Sequence, residues 1–191
     1  MAMSNKSVKS IKNVYQIKIT LRDSKPPIWR RLLVPDSISL YKLHQIIQIA
    51  MGWTDSHLHQ FIIDGEYYGI PSPEDWGPVI DERRSHLNKI APFEGDKFIY
   101  EYDFGDSWEH VVLVEKILPP EPDIKYPVCI KGKRACPPED VGGIWGYEEF
   151  IEAMSDPSHN EHDSYLEWWG DEFDPEAFVI EEINFALGQI K

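Results

Sequence analysis

The amino-acid sequence predicts an α+β fold, in which a mixed or antiparallel sheet carries its helices on one side. The first observation is an apolar–polar alternation over residues 14–21 and again over residues 98–114, which is typical of half-buried strands. The second is the helical spacing of apolar residues over residues 39–52 and in a helical C-terminal third. The third is the order of the elements, since a β-hairpin followed by a helix resembles the start of a β-grasp fold.

The first three elements are predicted to be two strands and a helix. Val14–Leu21 alternates in a single register, which indicates a strand with one solvent-facing side. Residues 28–34 predict a second strand, because two prolines precede the run and Pro35 ends it. The two strands are expected to pair as an antiparallel hairpin. Ser39 then suits a helix N-cap, and Gly52 suits the C-terminal end of the same helix.

A second hairpin is predicted further along the chain. Asp64-Gly65 is a strong turn signal between strands at residues 58–63 and 66–68. Residues 70–95 are expected to be irregular, because four prolines interrupt them, with one helical turn or a short strand within residues 81–88.

The central hairpin is predicted over residues 97–118. Its aromatic and apolar residues alternate with polar ones on both sides of Gly105, which breaks the run. The turn therefore holds Asp103, Asp106 and His110 within a few residues of each other.

The chain after this hairpin is predicted to be a long connection followed by helices. The connection covers residues 119–143, and helices are expected at residues 147–154 and 165–169. Asp174-Pro175-Glu176 has the composition of a helix N-terminus, and an apolar stripe over residues 178–190 predicts a last helix that opens there.

The charge of the chain is distributed unevenly. Residues 1–50 contain nine Lys and Arg against two Asp, and residues 155–191 contain ten Asp and Glu against Lys191, within a net charge of −14. Because phosphate neutralisation needs a basic surface, this balance argues against nucleic acid as a partner. We interpret the acidity mainly as a source of solubility. A contact between the acidic tail and the basic N-terminal part, within the chain or in a partner, is the alternative.

The sequence favours a cytoplasmic single-domain protein. No apolar run approaches the ~20 residues that a membrane-spanning helix needs, so no membrane partner is predicted. Residues 1–12 lack the apolar middle of a signal peptide and are expected to form a disordered leader before one domain over residues 13–191. Two cysteines, Cys129 and Cys136, argue against a disulfide scaffold.

Several stretches of the chain resemble one known family, the plasmid pRiA4b ORF-3-like proteins, which are also described as passenger proteins of insertion elements. The stretches are IWRRLLVP (Ile28–Pro35), LHQIIQIAMGW (Leu43–Trp53), HLHQF (His57–Phe61), YDFGDSWEH (Tyr102–His110), ACPPEDVGGIWGY (Ala135–Tyr147) and FDPEAF (Phe173–Phe178). The resemblance implies a single α+β domain and a loose association with mobile elements. It brings no agreed catalytic residues.

The residues around the central turn predict a pocket. Its expected members are His57, His59, Tyr102, Asp103, Asp106, Trp108 and His110. Within this pocket, His57 and His59 would project from one face of a strand toward Asp106 and His110. Two or three imidazoles with a carboxylate suit a divalent metal such as Zn²⁺, Mn²⁺ or Fe²⁺, and an open coordination position would permit hydrolysis. In the alternative interpretation the aspartates cap the turn, and the histidines satisfy backbone groups beside tryptophan rings.

Three other features have competing interpretations. Cys129 and Cys136 would supply half of a zinc site, with a distant histidine such as His159 or His162 completing it, or they are thiols that pack a proline-rich loop. The glycines of residues 142–146 would cradle an anion at a helix N-terminus, or they form a turn that lets Trp145 tuck in. His44 is interpreted as a histidine at the border of the core.

Three functions are compatible with these features. We favour an accessory domain without established catalysis that acts through protein–protein contact or self-association, because the chain has no catalytic motif and a surplus of tryptophans. Those expected at the surface are Trp76, Trp145, Trp168 and Trp169. A metal-dependent hydrolase with the His/Asp pocket is the second hypothesis, so enzyme activity stays open. A nucleic-acid-associated factor is the third, encouraged only by the mobile-element association.

Overall fold

The computed structural model describes residues 11–75 and 77–190. Most of the leader expected over residues 1–12, and also Trp76, therefore lie outside the described residues. The strands are β1 (Val14–Leu21), β2 (Trp29–Pro35), β3 (His59–Ile63), β4 (Glu66–Gly69), β5 (Val79–Asp81), β6 (Lys97–Tyr102), β7 (Trp108–Leu118) and β8 (Val128–Lys133). The helices are α1 (Leu40–Met51), α2 (Leu87–Ile90), α3 (Gly143–Ser155), α4 (His162–Trp169) and α5 (Ile180–Leu187).

All eight strands of the described chain form one open sheet in the order β5-β4-β3-β6-β7-β1-β2-β8. Neighbouring strands are antiparallel, except that β5 lies parallel to β4. The coarse prediction of helices combined with a mixed, mostly antiparallel sheet is therefore confirmed.

The start of the fold follows the predicted hairpin and helix. β1 pairs with β2, and α1 begins after Ser39, whose side chain accepts a hydrogen bond from the backbone N–H of Lys42. Gly52 ends α1 in the left-handed conformation, with φ of 91°. Any further likeness to a β-grasp fold stays a prediction.

One face of the sheet carries the hydrophobic core. Ile17 of β1 lies opposite Leu32 of β2 and Val114 of β7, and all three side chains are fully buried. α1 contributes buried residues such as Leu43 and Ile47 to the same core. Burial of each such side chain contributes about 1.5–3 kcal/mol, so the apolar residues of the alternating strands stabilise the fold.

Three local predictions were wrong or incomplete. The connection over residues 119–143 contains β8, which pairs with β2, so the last third of the chain begins with a strand and is not helical throughout. β5 lies in the stretch expected to be irregular. Asp174 opens a turn rather than a helix, since its backbone carbonyl accepts from the N–H of Ala177 and α5 begins only at Ile180. An Asp-Pro pair suits both kinds of structure.

The helices of the described residues do not include one with both the length and the apolar character that crossing a bilayer requires.

The turn of the central hairpin is held against the N-terminus of α3. The backbone N–H of Gly142 donates to Oδ2 of Asp106 at 3.1 Å. Gly143 has φ of +68°, and a Cβ atom at this position would lie 2.6 Å from the backbone oxygen of Asp106. The close approach therefore requires glycine, both for the backbone conformation and for the space.

We expect Gly143→Ala to lower the free energy of unfolding more than Gly95→Ala does. Both glycines have positive φ, so each alanine costs about 1–2 kcal/mol of backbone strain. Only at residue 143 does the added Cβ also meet backbone, because nothing lies within 4 Å of a Cβ at residue 95. Urea unfolding of the two variants measures the difference. Equal losses would show that the approach of α3 to the turn is not a constraint.

Candidate functional site

Three loops that are distant in sequence meet at one end of the sheet. They are residues 53–57 after α1, residues 103–107 between β6 and β7, and residues 137–142 before α3. The indole N–H of Trp53 donates to the backbone carbonyl of Pro137 at 3.0 Å. The hydroxyls of Thr54 and Tyr102 donate to the carboxylate of Glu139, each at 2.5 Å. Glu139 therefore joins two of the loops to the end of β6.

His57 lies between two aspartates at this junction. Its Nε2 is 3.2 Å from Oδ1 of Asp140 and 3.6 Å from Oδ2 of Asp103. Neither contact has the geometry of a hydrogen bond, although the nitrogen itself is buried. The other oxygen of Asp103 accepts from the backbone N–H of Gly105 at 2.9 Å, as expected for an aspartate that caps a turn. We call these three residues the His57 cluster.

His59 belongs to a different group, which we call the histidine pair site: His44, Asp55, His59 and Glu82. The rings of His44 and His59 are stacked, with centroids 3.4 Å apart and planes within 3° of parallel. Nε2 of His44 is 2.9 Å from Oδ1 of Asp55, and Nε2 of His59 is 2.9 Å from Oε2 of Glu82. His44 and Glu82 are almost wholly buried, whereas Asp55 is half-exposed.

The hydrogen bonds define the tautomer of His44. The hydroxyl of Tyr100 accepts from the side-chain N–H of Gln48 at 3.0 Å and lies 2.8 Å from Nδ1 of His44. Since Asp55 is an acceptor, Nε2 of His44 carries the proton, and the hydroxyl of Tyr100 donates to Nδ1. Burial, together with the neighbouring His59, lowers the pKa of His44 to about 4. The imidazole of His44 is therefore neutral near pH 7.

A cleft of about 410 Å³ borders the histidine pair site and the three-loop contact around Glu139, which we call the Glu139 junction. Its wall includes Gln48 of α1 and residues 53–55, so it contacts the histidine pair site through Asp55 and the Glu139 junction through Thr54. Ile190 contributes to the same lining from the C-terminal end of the described chain.

The structure divides the predicted pocket. His57, Tyr102 and Asp103 lie together, but His59 faces His44 and Glu82 instead. Within the described chain, the groups whose ligand atoms all lie within 4.8 Å are His44 with Asp55 and His59, and His57 with Asp103 and Asp140. The set of His57, His59, Asp106 and His110 is therefore not brought together as one ligand cluster.

The remaining members of the predicted set have other surroundings. Asp106 accepts from the backbone N–H of Gly142. His110 is fully buried between the rings of Trp53 and Tyr100, and neither of its ring nitrogens has a hydrogen-bond partner among the described residues. Trp108 is buried next to Trp53.

The cysteines are placed as packed thiols. Burial raises the pKa of both Cys129 and Cys136, and the nearby Arg30 opposes this shift without reversing it. Cys129 donates weakly to the backbone carbonyl of Lys131, at 3.6 Å. Neither cysteine belongs to a potential ligand group in the described part of the chain.

Sequence reasoning missed three members of the histidine pair site. The sequence indicates only a border position for His44, although its four-residue spacing from Gln48 places two polar groups on one helix face. Asp55 and Glu82 gave no local signal, because each lies in an irregular stretch and reaches a histidine only through the tertiary fold.

Comparisons with known proteins agree with this architecture. The family model described as "Plasmid pRiA4b ORF-3-like protein" matches residues 13–182. This chain belongs to the plasmid pRiA4b ORF-3-like family. A family relative, "Uncharacterized protein y4hQ" of Sinorhizobium fredii (strain NBRC 101917 / NGR234), is 39% identical over 183 residues, which cover 94% of this chain and 93% of the relative.

A solved structure shares the fold of this family member. The crystal structure of "Protein of Unknown Function MM3350" from Methanosarcina mazei Go1 has a TM-score of 0.83 and 39% identity to this chain. The match covers 91% of this chain and 97% of the other. The names of both relatives assign no activity, so no catalysis is established for them by name.

We expect the free energy of unfolding to fall as the pH drops from about 6.5 toward 4, in part because of His110. Burial lowers the pKa of His110 to about 4 from its ordinary value of 6.5. In this pH range His110 is protonated in the unfolded chain but not in the folded chain. The difference lowers the free energy of unfolding by up to about 3 kcal/mol at the acid end of the range.

His110→Leu isolates this contribution. The variant removes two unpartnered polar atoms from an apolar site, so its stability at pH 7 should equal or exceed that of the native chain. Its loss of stability between pH 6.5 and 4 should be smaller by up to about 3 kcal/mol, measured by denaturant unfolding across that range. Parallel pH profiles for the two proteins would contradict a neutral, buried His110.

Proposed function

We propose that this family member is an accessory domain that binds a basic segment of a partner protein through α4. The observation that supports this function is the exposure of α4, in which no residue is buried even though the helix carries two tryptophans. Trp168 is 48% exposed and Trp169 is 42% exposed. Large rings left half in water are typical of protein interaction surfaces.

The rings of α4 are held in place rather than loose. Tyr165, Trp168 and Trp169 all make edge contacts with Phe150 of α3, with ring centroids 5.3 to 6.2 Å apart. A ring that is already ordered loses little conformational freedom when a partner binds, so it contributes more to affinity. Leu166 adds a further exposed apolar side chain, and we call Tyr165, Leu166, Trp168 and Trp169 the α4 surface.

The charge around the α4 surface selects the kind of partner. Glu161, Asp163, Glu167, Asp171 and Glu172 are all exposed on or beside the helix. Burial raises the pKa of Tyr165, and the nearby carboxylates of Glu149 and Glu161 add to this rise.

A basic segment with apolar side chains complements this surface. Arginine is suited to it because a guanidinium group both pairs with carboxylates and stacks on tryptophan. A second copy of the chain would present the same acidic surface to itself, and like charges disfavour such a pairing. The same charge disfavours nucleic acid.

We expect the double variant Trp168→Ala/Trp169→Ala to bind a basic amphipathic peptide at least about tenfold more weakly than the native chain. The probe is a fluorescein-labelled helical peptide with arginine on one face and leucine on the other, and fluorescence anisotropy measures its affinity. Binding should also weaken as salt is added, because screening reduces the attraction between exposed charges.

Trp145→Ala is the matched control, since Trp145 is 80% exposed and points away from the side of α3 that bears Phe150. It should bind the peptide as the native chain does. A peptide with glutamate in place of arginine should not bind. Native affinity in the double variant, an equal loss in the control, or equal binding of the glutamate peptide would overturn the proposal. Concentration-dependent self-association that the double variant abolishes would also overturn it, in favour of a second copy as the occupant.

A further inference from the structure

We propose that His44, Asp55 and His59 bind one divalent transition-metal ion at the wall of the cleft. One ligand atom from each of the three residues lies within 4.8 Å of the others. This set differs from the ligand set predicted from the sequence in all but His59. It is independent of the α4 surface, which involves other residues and other elements.

Each histidine has one ring nitrogen beside a buried partner, and the other nitrogen is its candidate ligand atom. Nδ1 of His44 lies 2.8 Å from the hydroxyl of Tyr100, so Nε2, which donates to Asp55, would be the ligand atom. On binding an ion, Nε2 would give up its proton and Nδ1 would take one up, and the new N–H would donate to the oxygen of Tyr100. Nε2 of His59 is held by the carboxylate of Glu82 at 2.9 Å, so Nδ1 remains. Metal-binding histidines almost always have such a partner, because the second hydrogen bond orients the ring and raises its basicity.

Glu82 gives a second, independent indication of a cation. Its side chain is 0% exposed, and its Oε1 has no hydrogen-bond partner among the described residues. A buried carboxylate with one unpartnered oxygen is costly unless a positive charge lies near. A metal ion on His59 would supply that charge through the imidazole ring.

The stacked arrangement of the two rings differs from the one that an ion would require. The centroids are 3.4 Å apart and the planes are within 3° of parallel. Because the lone pair of an imidazole nitrogen lies in the plane of its ring, one ring would turn so that both planes contain the ion.

The ligand chemistry defines the class of ion and its environment. Two imidazoles and one carboxylate suit Zn²⁺, Fe²⁺, Mn²⁺ or Co²⁺ rather than Ca²⁺ or Mg²⁺. Three protein ligands leave at least one coordination position open. Asp55 also lines the cleft, so the ion would lie at the wall of this space.

The His57 cluster is the competing location for an ion. It has one imidazole and two carboxylates, and Asp140 is 70% exposed. Asp103 in this cluster also stabilises the turn, since its Oδ1 accepts hydrogen bonds from the backbone N–H groups of residues 105 and 106. The histidine pair site is more buried and has a partner for each ring, so we place the ion there.

Titration of the chelator-treated chain with Co²⁺ tests the proposal, since imidazole-bound Co²⁺ absorbs visible light. The native chain should give a saturable band with one ion per chain at the histidine pair site. Asp55→Asn keeps the shape of a half-exposed side chain and should weaken the binding at least tenfold. Glu82→Gln, which alters only the partner of His59, should weaken it about 10–100-fold.

His57→Ala is the matched control, because it removes the only imidazole of the His57 cluster and should leave the band unchanged. Circular dichroism of each variant verifies that it is folded. A band that is unchanged in both Asp55→Asn and Glu82→Gln, a band that is lost in His57→Ala, or the absence of any saturable band would overturn the proposal. None of these outcomes bears on the binding of a basic peptide by α4.

Discussion

Two buried tyrosine hydroxyls on β6 organise the functional end of this protein. Tyr100 and Tyr102 lie two residues apart on the core face of the sheet, and both are 0% exposed. A buried hydroxyl without a hydrogen bond costs a few kcal/mol, so each must find partners in the elements packed above it. The hydroxyl of Tyr100 forms hydrogen bonds with His44 and Gln48 of α1. The hydroxyl of Tyr102 forms hydrogen bonds with Glu139 and with the backbone N–H of Ser56. The histidine pair site and the loop junction both follow from this requirement.

The loop after α1 connects the histidine pair site to the loop junction at Glu139, because its successive residues contact the two sites in turn. Thr54 contacts Glu139, Asp55 contacts His44, and the backbone of Ser56 donates to Tyr102. His57 then reaches the two aspartates of its cluster. A shift of this loop would disturb both groups at once. The cleft lies along the same loop and opens next to both.

Internal pairing of the basic residues helps to explain the acidic surface. Arg31 holds Glu115 with two hydrogen bonds, at 2.6 and 2.7 Å, and Arg22 pairs with Glu109. Arg30 is buried and donates to the backbone carbonyls of Ala50 and Lys133. These cationic side chains of the N-terminal part therefore pair with carboxylates or backbone carbonyls of the same chain. The carboxylates of the C-terminal part are mostly left at the surface, and the α4 surface lies among them.

The sequence by itself determined β1, α1 with both of its caps, and the central hairpin, because alternation, helical spacing and capping are local properties of the chain. It also determined the family, through motifs such as Tyr102–His110. Only the tertiary structure decided that β8 pairs with β2, that His57 and His59 serve different groups, and that Asp55 and Glu82 are site residues. The two histidines separate because His57 lies before the start of β3, in a loop whose path depends on Tyr102 and Glu139. Such contacts join residues far apart in the chain, and no local pattern encodes which of them will meet.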